Sequence, residues 1–139
     1  MKRYLVALFL FGLSVSGFAQ TQCTAFPCVV ATVSLTNQSQ NILRTPIFTP
    51  TTSGVFRINT YLTASHGNSN NAEWFVYLGW TDDLGAKSWT LNAYENTSNA
   101  PNTTFAVEDI AGQPIFYRTK SVRGAGVTYS LFITVEQLQ

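Results

Sequence analysis

The side chains able to do chemistry in this 139-residue chain are few and scattered. His66 is the single histidine, so any Ser-His-Asp or Cys-His arrangement has to use it. It lies in Ser65-His66-Gly67-Asn68-Ser69-Asn70-Asn71, a polar stretch where a solvated imidazole is ordinary. Carboxylates occur as two adjacent pairs, Asp82-Asp83 and Glu108-Asp109, with Glu73 and Glu95 near loops. Glycoside hydrolysis needs two carboxyls facing each other across a cleft. Neighbours on a strand point to opposite faces, so neither adjacent pair meets that need alone. Calcium accepts loop carboxylates and carbonyls, but Asp82-Asp83 lacks a spaced acidic loop and reads first as a solvated turn. No Gly-x-Ser-x-Gly elbow, His-Glu-x-x-His helix or Walker loop occurs. Gly124-Ala125-Gly126 reads as a hairpin turn, since no helix N-terminus follows it to cradle phosphate. The expectation is a chain without catalytic residues, metal or cofactor.

Composition narrows the class further. The chain is 45% hydrophobic and 14% aromatic. Only 11% is charged, against about 25% in an average soluble domain. Disorder needs the opposite balance, low hydrophobicity with high net charge. A formal charge of +1 argues against a nucleic-acid partner, which calls for a basic surplus on one face.

Lys2 and Arg3 precede a nearly unbroken apolar run from Tyr4 to Val15, followed by the small residues Ser16, Gly17 and Ala19. Charged start, apolar centre and small-residue ending are the parts of a secretory leader spanning residues 1–19, with cleavage expected after Ala19. The run is shorter than the ~20 residues of a membrane span. Export is therefore expected, to the periplasm or beyond, with no membrane contact after cleavage. In an oxidising compartment Cys23 and Cys28, the only cysteines, read as a local disulfide closing an N-terminal loop over residues 20–28.

Residues 29–139 read as one β-domain. Thr, Val, Phe and Tyr suit a pleated surface, and the apolar segments are short, alternating and separated by turn residues. Eight strands are expected: Val29–Leu35, Ile42–Phe48, Val55–Ala64, Trp74–Trp80, Ser88–Tyr94, Thr104–Ile110, Ile115–Val122 and Val127–Glu136. Pro46 and Pro50 make the second an edge or broken strand. In the third, Phe56, Ile58, Leu62 and Ala64 share a face opposite Arg57, Asn59 and Thr63. In the eighth, Val127, Tyr129, Leu131, Ile133 and Val135 point one way. Eight short strands at this spacing predict an all-β fold, an antiparallel two-sheet sandwich of the jelly-roll type.

The fourth strand is apolar on both sides. Trp74, Val76, Leu78 and Trp80 occupy one face, Phe75 and Tyr77 the other. A sandwich strand needs only one apolar face, so Phe75 and Tyr77 call for cover by a loop, a second subunit or a ligand. Trp74, beside a polar loop, is expected to be the exposed tryptophan. With Tyr94 it is a candidate for stacking on sugar, whereas Trp89, alternating with Leu91, is expected in the core. Arg118, Lys120 and Arg123 form a small basic run expected to pair with Glu108 or Glu136 across the sheet.

The segment Thr49-Pro50-Thr51-Thr52-Ser53-Gly54-Val55-Phe56-Arg57-Ile58-Asn59-Thr60-Tyr61-Leu62 resembles the third-strand signature of the C1q and tumour-necrosis-factor-like jelly rolls. Tyr129-Ser130-Leu131-Phe132-Ile133-Thr134-Val135 is similar to their final strand. Gly54-Val55-Phe56-Arg57, Trp80-Thr81-Asp82 and the segment from Tyr129 to Leu138 are also similar to short secreted or phage-borne β-domains. The resemblance implies a non-catalytic head domain, often a homotrimer, that binds protein or glycan partners. Two readings follow. One is an exported structural or adhesive domain that self-associates through aromatic strand faces; the other is a monomeric carbohydrate-binding module using exposed Trp or Tyr. Trp74, Phe75, Tyr77 and Tyr94 are the binding candidates for both.

Overall fold

A computed structural model describes residues 23–65, 72–94, 100–122 and 127–139. Eight strands run in chain order: β1 (Cys28–Gln38), β2 (Thr45–Phe48), β3 (Gly54–Ala64), β4 (Glu73–Asp82), β5 (Gly85–Tyr94), β6 (Asn102–Asp109), β7 (Ile115–Val122) and β8 (Tyr129–Gln137). They form two four-stranded sheets, β1-β8-β3-β6 and β2-β7-β4-β5. Every pairing is antiparallel. Successive strands thus alternate between sheets except at the β4–β5 hairpin, which is the jelly-roll connection expected from the sequence. That hairpin turns through Asp83 and Leu84 into Gly85, whose φ of 107° suits a residue without a side-chain carbon. Pro46 sits on β2, at the edge of its sheet, where the register with β7 slips between Pro46 and Phe48.

Alternation places one apolar row from each strand between the sheets. From the first sheet come Phe56, Ile58 and Leu62 of β3, Val107 of β6, and Tyr129, Leu131, Ile133 and Val135 of β8. The opposing sheet supplies Trp74, Val76 and Leu78 of β4 with Ile115 and Tyr117 of β7. Thr60 is buried in register with the leucine and isoleucine rows, one of few polar residues there. Cys23 and Cys28 form the expected disulfide and pack against this core at the start of β1.

Trp74 corrects one expectation: it is 1% exposed. Its indole meets the Tyr129 ring at a centroid distance of 4.2 Å, and its Nε1 donates to the Val127 carbonyl at 3.3 Å. The even-numbered row of β4 faces inward along its whole length, so a tryptophan at its start is captured by β8 instead of reaching water. The Tyr129 hydroxyl continues the contact, donating to the Gln40 carbonyl at 3.3 Å and lying 2.9 Å from Thr119 Oγ1 of β7. Thr119 Oγ1 in turn accepts the Ile42 amide at 2.8 Å. Sheet one, sheet two and the segment before β2 meet at this point.

Two variants weigh the arrangement. Trp74→Ala leaves a cavity in the core and is expected to cost about 3–5 kcal/mol. Tyr129→Phe keeps the ring but strands the Gln40 carbonyl and is expected to cost about 1–2 kcal/mol. Urea unfolding with an unchanged slope measures both; a wild-type midpoint for Trp74→Ala would refute this placement.

Candidate functional site

The outward face of β4 is covered from its own sheet. Tyr77 lies in register with Arg118 of β7, whose guanidinium carbon sits 4.2 Å from the tyrosine ring centre. Phe75 and Tyr77 stack side by side, ring centres 6.2 Å apart and planes within 23°. Next along, Phe116 of β7 lies over Gly79, where a side-chain carbon would overlap the phenylalanine ring. Arg44 caps Phe116 with its guanidinium carbon 3.8 Å from the ring centre. Stacked guanidiniums shield apolar rings while keeping their edges in water. A groove of about 230 Å³ remains beside these rings, lined by Arg44, Tyr77, Leu78, Ser88, Phe116 and Arg118.

Arg118 and Lys120 therefore do not reach Glu108 or Glu136 as expected. The basic residues lie on the second sheet and the acids on the first. Glu136 is instead in register with Arg57 and accepts its guanidinium, with the Nε contact at 2.6 Å.

The opposite outer face, across β8 and β3, holds two neighbouring aromatics that reach solvent. Tyr61 is 41% exposed and Phe132 39%. They are register partners on the two central strands, with ring centres 6.1 Å apart. Around them lie Asn59, Asn102, Thr104 and Thr134, which line a shallow groove of about 250 Å³. Thr104 donates to Asn59 Oδ1 at 2.9 Å. Sequence reasoning missed this pair. The signal was available as an aromatic at the polar parity of the third and eighth strands, the same sign that singled out Phe75 and Tyr77.

Trp89, expected in the core, is 50% exposed. It points inward from β5, but β5 is an edge strand, and its ring meets Phe105 on the facing edge strand β6. Trp80 packs on the same phenylalanine at 5.6 Å. Tyr94, at the end of β5, is half exposed and points to the outer side with Glu73. Glu73 accepts the Asn92 amide at 2.5 Å. Asp82 belongs to the hairpin, accepting Lys87 Nζ and the Leu84 amide at 2.9 Å each; the Lys87 contact holds its carboxyl below the usual range. His66, Glu95, Arg123 and the 1–19 leader lie outside the described residues. No cluster of three or more His, Cys, Asp or Glu suited to a metal forms among the described residues.

Asp109 is the one fully buried carboxylate among them. Its Oδ1 accepts the Thr81 amide at 2.9 Å, and the Ile110 amide donates to the Thr81 carbonyl, so the acid clips β6 to the end of β4 across the sandwich. Its Oδ2 has no hydrogen-bond partner. Burial raises the carboxyl above the ordinary 3.8, against the backbone hydrogen bonds that lower it.

No family model matches the chain, and no curated protein sequence matches it. Among solved structures it is similar to Eiger TNF from S. frugiperda, at 12% identity and a TM-score of 0.41, over 81% of this chain and 94% of that one. The jelly-roll assignment rests on the chain's own strand pairing.

The buried acid yields a pH dependence. Because the folded carboxyl binds its proton more tightly than the unfolded one, Asp109 supports folding most below about pH 4. Its contribution falls as pH rises from the ordinary value through the raised one. Asp109→Asn cannot ionise, so wild type is expected to lose stability relative to this variant as pH rises from about 4 through the raised value. Paired thermal melts across that range check the sign, and parallel curves would refute it.

Proposed function

We propose that the protein is an exported, non-catalytic binding domain that self-associates through the outer face of the β1-β8-β3-β6 sheet. The observation that carries this reading is the Tyr61–Phe132 pair, exposed on the two central strands and surrounded by uncharged Thr and Asn. Interface cores are rich in aromatics and poor in charge, with a polar rim. The charges nearest the pair in register are Arg57 and Glu136, which neutralise each other. Phe75 and Tyr77, the face first expected to self-associate, stack on each other with Arg118 over Tyr77, and both are half-buried rather than exposed.

Magnitude sets what kind of assembly this is. Covering the exposed parts of two such rings is worth roughly 4 kcal/mol per copy. Association costs about 4–15 kcal/mol. The gain is comparable to the cost, so the pair supports a weak, concentration-dependent homo-oligomer, with a trimer the form implied by the C1q and tumour-necrosis-factor-like resemblance. Export is supported by the charged, apolar and small-residue order of residues 1–19 and by the Cys23–Cys28 disulfide, a bond that persists in oxidising compartments.

Light scattering on a sizing column over a range of concentrations tests the reading. The expected result is a mass above that of one copy, reduced to one copy in Phe132→Glu and Tyr61→Glu with the thermal midpoint of the isolated domain retained. A wild-type monomer at every concentration would sink it, as would an oligomer indifferent to both variants.

A further inference from the structure

The groove between Arg44 and Arg118 lies on the other sheet and is independent of self-association. Its two arginines each place the guanidinium carbon over an aromatic ring, Arg44 over Phe116 and Arg118 over Tyr77. A guanidinium over a ring uses one face for that contact and keeps its N–H donors for a ligand. No carboxylate among the described residues answers them. The ion pairs among these residues are Arg57–Glu136 and Lys87–Asp82. Asp109 is buried in the core, Glu108 lies on the other sheet, Asp83 is in the β4–β5 turn, and Glu73 accepts the Asn92 amide. Lys120 lies two residues beyond Arg118 on the same face of β7, about 7 Å further along the strand. The result is two guanidiniums, unpaired among the described residues, on an aromatic floor with the Ser88 and Tyr77 hydroxyls beside them, while Glu73, on the same outer face, lies at the far end of the row near Lys120.

We propose that this groove, framed by Arg44 and Arg118, binds the carboxylates of an acidic polysaccharide. Arginine matches a planar carboxylate with two parallel hydrogen bonds. The groove, at about 230 Å³, is below the roughly 300–1,000 Å³ of a small-molecule cleft, so it takes one charged group of a longer chain. A glycan fits better than an acidic peptide. Extended peptides dock by adding to a sheet edge through backbone hydrogen bonds. Here the floor is β4 and β7, which are paired on both sides, so only side chains are offered. A uronate ring carries its carboxylate on a stiff frame and loses less conformational freedom on docking than a glutamate side chain.

The test is calorimetric titration of the purified protein with a galacturonate oligomer, its methyl ester, and a glutamate oligopeptide. The acid form is expected to bind, and the ester to bind at least tenfold more weakly. Arg44→Gln and Arg118→Gln are each expected to weaken binding about tenfold, the weight of one charge-assisted hydrogen bond. Arg118→Lys keeps charge and fold but loses the two-pronged geometry, and is expected to fall with them. Lys87→Gln, whose residue is engaged with Asp82, serves as the unaffected control. The proposal is overturned by absent binding of the acid oligomer, by equal binding of the ester, or by arginine variants that bind as wild type. Tighter arginine-dependent binding of the glutamate peptide would overturn it too, in favour of an acidic protein partner.

Discussion

The contact between Trp74 and Tyr129 is the place where two independent sheets become one domain. Each sheet holds itself together by backbone ladders, but nothing in a ladder fixes how one sheet sits on the other. That depends on side chains crossing the gap. Trp74 from β4 and Tyr129 from β8 meet ring to ring, and the tyrosine hydroxyl then reaches Thr119 on β7 and the Gln40 carbonyl. Apolar burial alone is non-directional. The hydrogen-bonded hydroxyl adds direction, because a buried polar group left unpaired is costly. Asp109 plays the corresponding part for β6 and β4, bonding across to the Thr81 amide.

Once the inner faces are locked, the character of the outer faces follows from strand parity. Every outward aromatic must be handled on the surface, and the two sheets handle theirs differently. On the second sheet, Tyr77 and Phe116 receive the guanidiniums of Arg118 and Arg44, and Gly79 makes room for the phenylalanine ring. On the first, Tyr61 and Phe132 have each other and a fringe of uncharged residues. At its centre one face thus carries arginines over its rings, while the other has an open aromatic pair among uncharged residues. The two are suited to different partners, an anion on one side and a second apolar face on the other.

Much of this is legible in the order of residues along the chain. The alternation in Val127, Tyr129, Leu131, Ile133 and Val135 marks one face, and all five are buried. Pro46 marks an edge, and β2 is an edge strand. The short Cys23–Cys28 spacing marks a local bridge, and the bridge forms. These features are local: a period of two, a missing amide, a loop length. Parity also carried the site signal, and Phe75 and Tyr77 stand on the outer side as their alternation requires.

What parity does not state is which end or edge of the sandwich a residue occupies, and that decided both misplaced tryptophans. Trp74 starts its strand beside a polar loop, yet β4 is an inner strand and β8 closes over it. Trp89 alternates like a core residue, yet β5 is an edge and half its surface stays in water. Charge partners follow the same logic. Glu136 and Arg118 are close in sequence, but jelly-roll connections send β7 and β8 to opposite sheets, and Arg57 is the cation in register. The sequence by itself determined the class of fold, the strands and which way each side chain faces, because these depend on neighbours one or two residues away. Only the tertiary structure decided which strands are central and which faces lie bare. Those properties arise from pairing between segments far apart in the chain, which no local pattern records.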